Sequence, residues 1–279
     1  MWKRSPAHAC HMNNTLVIGA SLSGLASAAC LQKYALDYRI IEKDDKIAAP
    51  WHTHYDRLHL HTHKNGSNLP RKKFPSNIPK YPGRQQLIEY AEEYRRAFDI
   101  QPLFRTEALS ISKADDGWLT ETTNGSYRSK YLIMATGAFS KPLPLDFPGL
   151  ETFPGEAIHS SRYRTGKRFQ GKKVLVVGFG NSACEIAIDL VEQGAFPTMA
   201  VRSPVNVVPR DILGLPIVKI SLLLGLLPPR LADKLSGPLL RLLIGDITAL
   251  GLKKMPYGPL EQIRRDLKAP ILDIGAIEH

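Results

Sequence analysis

The sequence predicts an α/β protein that contains two dinucleotide-binding units of the Rossmann type. Short apolar strands alternate with helical segments along much of the chain, which is typical of a parallel sheet covered by helices. Two of these strands run directly into a glycine-rich turn and then a helix, at 19–24 and at 178–183. One chain with two such turns suits a protein that passes electrons between two bound cofactors.

The first turn follows a strand at 15–19 and has glycine at its first and last positions. Gly19 permits the tight turn, and Gly24 lets the next helix pack closely on the strand. The middle position is Ser21, whose side chain crowds the place where a pyrophosphate approaches the backbone. The next apolar strand ends at Glu42, 18 residues beyond Gly24, where a carboxylate accepts hydrogen bonds from ribose hydroxyls. This pattern predicts FAD or NAD, and the alternative is a Rossmann-like turn without a ligand.

The second turn has the same design. Gly178 and Gly180 stand at its first and middle positions, and Asn181 and Ser182 begin the following helix. Because N–H groups at a helix start attract phosphate, these four residues are candidate contacts for a second dinucleotide. Here too, the alternative is a turn that binds nothing.

The strand that follows the second turn ends in a cation instead of an acid. Arg202 and Ser203 stand where Glu42 stands in the first unit. A guanidinium binds phosphate through two hydrogen bonds. We therefore predict that the second unit binds NADPH, which carries a phosphate that NADH lacks.

Length and composition fit two domains in a reducing compartment. The 279 residues are 43% hydrophobic, which is enough for packed cores. The three cysteines form no Cys-x-x-Cys pair, which argues against a dithiol-relay reductase and favours a cytoplasmic location. The net charge of +11 favours anionic ligands, whereas the sequence carries no recognised nucleic-acid-binding motif.

Patterning divides the chain into three parts. Residues 1–13 form an N-terminal extension, 14–150 the first nucleotide-binding domain and 151–279 the second, with a proline-rich crossing at 141–154. The second domain includes a leucine-rich helical segment at 212–244. This segment either packs over the active site and the second domain, or contacts a membrane surface through leucines mixed with basic residues. Oligomeric state is left open by the sequence.

A spaced motif between the two turns resembles the fingerprint of flavin-containing monooxygenases. It reads Phe-x-Gly-x-x-x-His-x-x-x-Tyr over 153–163. Thr136 and Gly137 resemble the strand end that lies beside FAD in that family. Trp51 and the segment around Arg57 resemble the stretch that passes near the flavin. These four residues are therefore candidate contacts for FAD.

Other stretches are similar to the plant YUCCA-type branch of that family. They are Val-Pro-Arg at 208–210, Gly-Pro-Leu-Glu at 258–261 and Pro-Ile-Leu-Asp-Ile-Gly at 270–275, and the resemblance covers roughly 14–277. It implies a three-layer flavoprotein in which an NADP domain follows as an insertion in the FAD domain. It also implies that this chain lacks the C-terminal return of the FAD domain found in relatives.

The resemblance implies a monooxygenase that uses FAD, NADPH and O2. In that family NADPH reduces the flavin, O2 adds at flavin C4a, and the hydroperoxide gives one oxygen atom to a small organic substrate. In the YUCCA-type branch the substrate is an aromatic 2-oxo acid, indole-3-pyruvate, which loses CO2. The alternative is a truncated nucleotide-binding protein, or an NADPH oxidase that releases peroxide because water reaches the flavin.

A histidine-rich stretch supplies the candidate catalytic residue. His59, His61 and His63 alternate, so on a strand they share one face. Imidazole is a common zinc ligand, but no carboxylate or cysteine completes a set, and we predict no metal site. The resemblance implies that His61 lies near flavin C4a and donates a hydrogen bond there, with a packing or surface role as the alternative.

Overall fold

The computed structural model describes residues 10–138 and 141–277, so most of the predicted extension at 1–13 lies outside the described residues. The described chain forms two compact units. The first comprises residues up to 54 together with 64–161, and the second comprises 55–63 together with the residues from 162 onward. The short segment 55–63 thus belongs to the second unit, although it interrupts the first in sequence.

The first unit is a mixed five-stranded sheet with helices. Its elements are β1 (Cys10–Ile18), α1 (Leu22–Lys33), β2 (Tyr38–Ile41), α2 (Ala49–Thr53), α3 (Arg84–Ala97), β3 (Ala108–Ala114), β4 (Gly117–Thr122) and β5 (Gly125–Met134). The strand order is β2-β1-β5-β4-β3. β1 runs parallel to both β2 and β5, and β3, β4 and β5 form an antiparallel meander. The predicted α/β class is confirmed.

Strand β1 is the centre of the first unit. Leu16 and Val17 are fully buried, because a central parallel strand is covered on both faces. The strand begins at Cys10, earlier than the predicted start at 15, and Cys10 pairs with Ser126 of β5. Backbone pairing extends the strand beyond its apolar part, since ladder hydrogen bonds do not require apolar side chains.

The register aligns the carboxyl ends of the three parallel strands. Ile18 lies opposite Ile41 of β2 and opposite Met134 of β5. The residues that follow these strands therefore meet at one edge of the sheet, where open α/β sheets bind their ligands. The first glycine turn, Glu42 and Thr136 all follow these strands directly.

The second unit is built around a smaller parallel pair. Its elements are β6 (Lys173–Val177), α4 (Asn181–Glu192), β7 (Phe196–Ala200), β8 (Val207–Pro209), β9 (Asp211–Ile212), β10 (Leu215–Pro216), α5 (Ile217–Leu224), α6 (Pro229–Ile244), α7 (Pro259–Asp266) and β11 (Ile271–Asp273). β6 and β7 pair in parallel and are connected by α4, which is the βαβ arrangement predicted for the second turn. β8 pairs in parallel with β11.

The leucine-rich stretch predicted at 212–244 is helical over most of its length. It forms α5 and α6, and α6 continues through Pro238. Among the described residues, none of the helices combines the length and the apolar character needed to cross a bilayer.

Close packing at the first turn should limit which residue can occupy position 24. A Cβ atom on Gly24 would lie 1.9 Å from the Gly19 carbonyl oxygen. We expect Gly24→Ala to lower the free energy of unfolding by about 1–3 kcal/mol, because helix α1 must move away from the turn. Urea denaturation measures the change.

The matched control is Gly237→Ala within α6. Among the described residues, no atom lies within 4 Å of a Cβ added there. This substitution should leave stability unchanged or raise it by up to about 1 kcal/mol through helix propensity. Equal destabilisation by the two substitutions would contradict the packing argument.

Candidate nucleotide-binding sites

The first turn is held to the sheet by its own backbone. Gly19 adopts φ +104°, in the left-handed region that favours glycine. Its N–H donates to the Ile41 carbonyl oxygen at 2.8 Å. A Cβ at this position would lie 2.5 Å from the Ala135 carbonyl oxygen. Position 19 therefore requires glycine, both for its conformation and for the close approach of β5.

Glu42 is fixed against the turn. Its side chain is buried, and its Oε2 accepts a hydrogen bond from the Ala20 N–H at 2.7 Å. Its Oε1 accepts from the Asp44 N–H at 3.1 Å. Each carboxylate oxygen retains a further lone pair for a ligand hydroxyl. The acid predicted to contact ribose thus lies at the glycine turn in a fixed orientation.

Ser21 is the N-cap residue of α1. Its backbone is extended, and its hydroxyl makes no capping hydrogen bond. The first-turn N–H groups of α1 are therefore not satisfied by this side chain, and they are available to an anion. The expected steric crowding by Ser21 stays a prediction.

Trp51 lies on a short helix that is anchored to the first turn. The helix begins after Ala48, whose N–H donates to the Ala20 carbonyl oxygen at 3.2 Å. Ala48 adopts φ +51°, an uncommon conformation for a residue with a side chain. On the other side of the turn, Thr136 and Gly137 are exposed immediately beyond the end of β5. The first unit thus gathers these predicted contacts around one turn.

The second turn is open where the first is closely packed. Gly178 adopts φ +115°, and its N–H donates to the Ala200 carbonyl oxygen at 2.9 Å. Among the described residues, no atom lies within 4 Å of a Cβ added at Gly178 or Gly180. Asn181 and Ser182 begin α4, whose N-cap Gly180 offers no side chain to its first turn. The turn is thus unobstructed at both glycines, and the N–H groups at the start of α4 are not capped by a side chain, as an anion-binding turn requires.

Arg202 and Ser203 follow the carboxyl end of β7. Both are exposed, and the hydrogen bond between Gly178 and Ala200 brings the end of β7 beside the second turn. The predicted cation and the predicted phosphate turn therefore lie at the same end of the parallel pair.

His61 lies in the second unit, against helix α4. Its Nε2 lies 2.5 Å from Oε1 of Glu185, whose side chain is completely buried. The Tyr55 hydroxyl contacts the same carboxylate and also hydrogen-bonds Ser182. The candidate catalytic histidine is thereby linked through Tyr55 to the first turn of α4. Its catalytic role stays a prediction.

Glu185 is one of three acids on one face of α4. The others are Asp189 and Glu192, since residues spaced by four and three lie on the same side of a helix. Asp189 accepts from the Tyr163 hydroxyl at 2.5 Å. Glu192 pairs with Arg57 through two hydrogen bonds of 2.9 Å. Arg57 therefore binds a protein carboxylate in this structure, and its predicted contact with cofactor stays a prediction.

Burial, together with nearby acids, keeps two tyrosines and a cysteine of the second unit in their neutral forms. Burial raises the pKa of Tyr55 well above its usual range, and the charge of Glu185 adds to the effect. Burial and the hydrogen bond to Asp189 raise the pKa of Tyr163 in the same direction. Burial, with nearby carboxylates, raises the pKa of the Cys184 thiol to about 12. The tyrosines are therefore hydrogen-bond donors at neutral pH, and Cys184 is not an activated nucleophile.

The acids of α4 and Tyr55 are not among the site residues that the sequence predicts. Glu185 and Asp189 stand among apolar residues in the helix that follows the second turn. Plotting the helical period would have placed both acids on the side that carries Ile188, which is buried. A pair of acids on an otherwise apolar helix face is therefore the sequence feature that indicates these residues.

The three alternating histidines lie outside any strand, so the condition for a shared strand face is not met. Residues 55–63 form no strand, because this segment packs on α4 through side chains instead of pairing along a sheet. His59 Nδ1 lies 2.5 Å from the Arg57 carbonyl oxygen, whereas His61 contacts Glu185. Within the part of the chain that the structure describes, no group of three or more metal-ligating side chains is assembled.

Comparison with known proteins assigns the family. A family model described as pyridine nucleotide-disulphide oxidoreductase matches residues 16–211. The chain is 41% identical over 266 residues to probable indole-3-pyruvate monooxygenase YUCCA4 of Arabidopsis thaliana, covering 94% of this chain and 65% of that protein. It is 39% identical over 283 residues to indole-3-pyruvate monooxygenase YUCCA6 of the same plant, covering 98% and 68%. The chain belongs to this family, on its YUCCA-type flavin-containing monooxygenase branch.

Solved structures agree with this assignment. A flavin-containing monooxygenase from Stenotrophomonas maltophilia superposes with a TM-score of 0.67 at 25% identity, covering 72% of this chain and 61% of that one. A cyclohexanone monooxygenase superposes with a TM-score of 0.71 over 96% of this chain and 65% of that one, and at 21% identity this shows a shared fold. The chain spans about two thirds of the length of the YUCCA relatives, 65% for YUCCA4.

The buried contact between Glu185 of α4 and His61 should be important for the stability of the second unit. Glu185→Ala would leave the His61 and Tyr55 groups without their carboxylate in a buried site. We expect the free energy of unfolding to fall by about 3 kcal/mol or more. Chemical denaturation followed by circular dichroism measures it.

Glu192→Ala is the matched control on the same helix face. The Glu192 side chain is 45% exposed, so loss of its pair with Arg57 should cost at most about 1 kcal/mol. If Glu185→Ala were as mild as Glu192→Ala, the buried pair would not stabilise the unit.

Proposed function

We propose that this chain is an FAD- and NADPH-dependent monooxygenase that transfers one oxygen atom from O2 to a small organic substrate. The observation that carries the proposal is the contrast between the two nucleotide turns. The first turn has a buried acid, Glu42, and the second has an exposed cation, Arg202. A chain of this family with one site for each kind of dinucleotide is suited to moving a hydride from NADPH to a flavin.

The first unit fits the adenosine and pyrophosphate parts of FAD. The uncapped start of α1 faces anions, and Glu42 is fixed with free lone pairs beside the turn. Trp51, Thr136 and Gly137 flank the same turn and are proposed to contact FAD. Gly19 and Gly24 hold the turn in the shape that this binding requires.

The second unit fits NADPH. The space around Gly178 and Gly180 accommodates the pyrophosphate, and the start of α4 supplies N–H donors. Arg202, with Ser203, is proposed to bind the 2′-phosphate. A carboxylate at this position would repel that phosphate, whereas a guanidinium attracts it.

His61 is proposed as the residue that donates a hydrogen bond to the reacting oxygen. When FAD is bound and reduced, it supplies the electrons that activate O2. Oε1 of Glu185 lies 2.5 Å from Nε2 and holds the ring in one orientation. His61 Nδ1 is buried and makes no hydrogen bond within the described residues. The Glu185 side chain would therefore orient the His61 ring.

The proposed substrate class is an aromatic 2-oxo acid. The support is the naming of the relatives as indole-3-pyruvate monooxygenases. The balanced reaction converts the 2-oxo acid, O2, NADPH and a proton into the carboxylic acid that is one carbon shorter, CO2, water and NADP+. The C–C bond beside the carboxylate breaks, and one oxygen atom enters the product. A cytoplasmic location is part of the same proposal.

Three measurements on the purified chain test the activity. We expect a yellow protein with flavin absorbance, NADPH oxidation, and product formed from an aromatic 2-oxo acid in proportion to the NADPH consumed. NADPH oxidation that yields only hydrogen peroxide would support the uncoupled oxidase instead. A protein that remains colourless after incubation with FAD would refute the flavoenzyme.

Arg202 should determine the preference for NADPH over NADH. Arg202→Ala should weaken NADPH binding by about 1–3 kcal/mol, the range for a lost hydrogen bond to a charged group. NADH binding should change little, because NADH lacks the 2′-phosphate. Titration of both cofactors by fluorescence gives the two affinities.

Arg264→Ala is the control, since Arg264 is an exposed arginine on α7 of the same unit. It tests whether any loss of positive charge has the same effect. Equal weakening of NADPH and NADH by Arg202→Ala, or equal effects of the two alanine variants on NADPH, would refute the assignment of Arg202.

A further inference from the structure

Helix α6 exposes a row of leucines to solvent. Leu231, Leu235, Leu239 and Leu242 are spaced by four, four and three residues, so they lie along one side of the helix. Their exposed fractions are 46%, 62%, 45% and 81%. We call this row the leucine face of α6. Single exposed leucines are ordinary on protein surfaces, but a continuous row along a helix marks a contact surface.

The opposite side of α6 packs against the rest of the second unit. Leu240 on that side packs against the cluster of Val208, Ile212 and Ile217. Asp233 accepts from the N–H groups of Leu260 and Glu261 at 3.0 and 2.9 Å, where α7 begins. The leucine face is therefore not the side that α6 uses to pack in the second unit.

Basic residues lie beside the leucine face. Arg230, Lys234 and Arg241 are spaced by four and seven residues, which places them along a neighbouring side of the helix, and all three are exposed. Arg230 also pairs with Glu261 at 3.2 Å. An exposed apolar row with cations along its flank is the arrangement by which a helix lies on an anionic lipid surface.

The net positive charge of the surrounding segment also favours contact with an anionic surface. From 212 to 245 the chain contains four basic residues and a single acid, Asp233. The Asp233 carboxylate is already directed at the start of α7. Helix α5 exposes Lys219 together with Leu222 and Leu223, which are 72% and 70% exposed. The outward surface of this segment thus combines apolar and positive groups.

We infer that the leucine face of α6 and its flanking cations bind the surface of an anionic phospholipid bilayer. The cations would contact lipid phosphate and carboxylate groups while the leucines enter the boundary between headgroups and acyl chains. A second copy of the chain is less suited to this surface. A symmetric contact through the same patch would bring the cations of both copies together, where they repel.

Vesicle co-sedimentation of the full chain tests the inference. We expect binding to phosphatidylcholine vesicles that contain phosphatidylserine, weak binding to pure phosphatidylcholine, and release at high salt. Lys234→Gln combined with Arg241→Gln should weaken binding about thirtyfold. Leu235→Ser combined with Leu242→Ser should weaken it by about a hundredfold. Leu109→Ser in the first unit removes an equally exposed leucine and should have no effect.

The outcomes of these experiments distinguish an anionic bilayer from a second copy of the chain as the partner of the leucine face. Absence of binding to anionic vesicles, or equal binding to both vesicle types, would overturn the inference. So would a concentration-dependent dimer, seen by light scattering, that the double leucine variant abolishes while vesicle binding is absent. If the leucine variant fails to fold, the double glutamine variant still decides, because full vesicle binding by that variant would contradict the role of the cations.

Discussion

Parallel pairing of β1 with both β2 and β5 is the constraint on which the first nucleotide site depends. The shared register ends all three strands at the same level, at Ile18, Ile41 and Met134. The glycine turn, the acid after β2 and the loop after β5 are thereby placed at one edge of the sheet. Close packing at positions 19 and 24 then requires glycine, because a side chain at either position would overlap a carbonyl oxygen.

The second unit depends on a different interaction, the pairing of acids on α4 with side chains from another part of the chain. A buried carboxylate is costly unless it is paired and hydrogen-bonded. Here the buried Glu185 contacts His61 and Tyr55, and the half-exposed Glu192 pairs with Arg57. These three partners all lie in the segment 55–63. This explains why a short piece of chain that interrupts the first unit in sequence is part of the second unit in space. It also places the candidate catalytic histidine in contact with a carboxylate on the helix that begins at the second turn.

Much of the candidate nucleotide site could be predicted from the sequence, because the residues that define it follow strands at short distances along the chain. Glycine at 19 and 24, an acid at 42 and a cation at 202 follow strands at fixed offsets, and the offsets alone predict where they lie. The contacts of His61 could not be predicted in this way. Its partner Glu185 is more than a hundred residues away, and the alternation of histidines at 59, 61 and 63 does not by itself identify the group that each of them contacts.

The sequence by itself determined the α/β class, the two glycine turns and the family, since each depends on short-range patterns of strand, turn and helix. Only the tertiary structure decided which unit holds the segment 55–63, which groups Arg57 and His61 contact, and which side of α6 stays exposed. The physical reason is that a periodic pattern identifies a helix face as apolar or charged but does not say what covers it. Burial of Asp189 and exposure of Leu242 are set by contacts between distant parts of the chain.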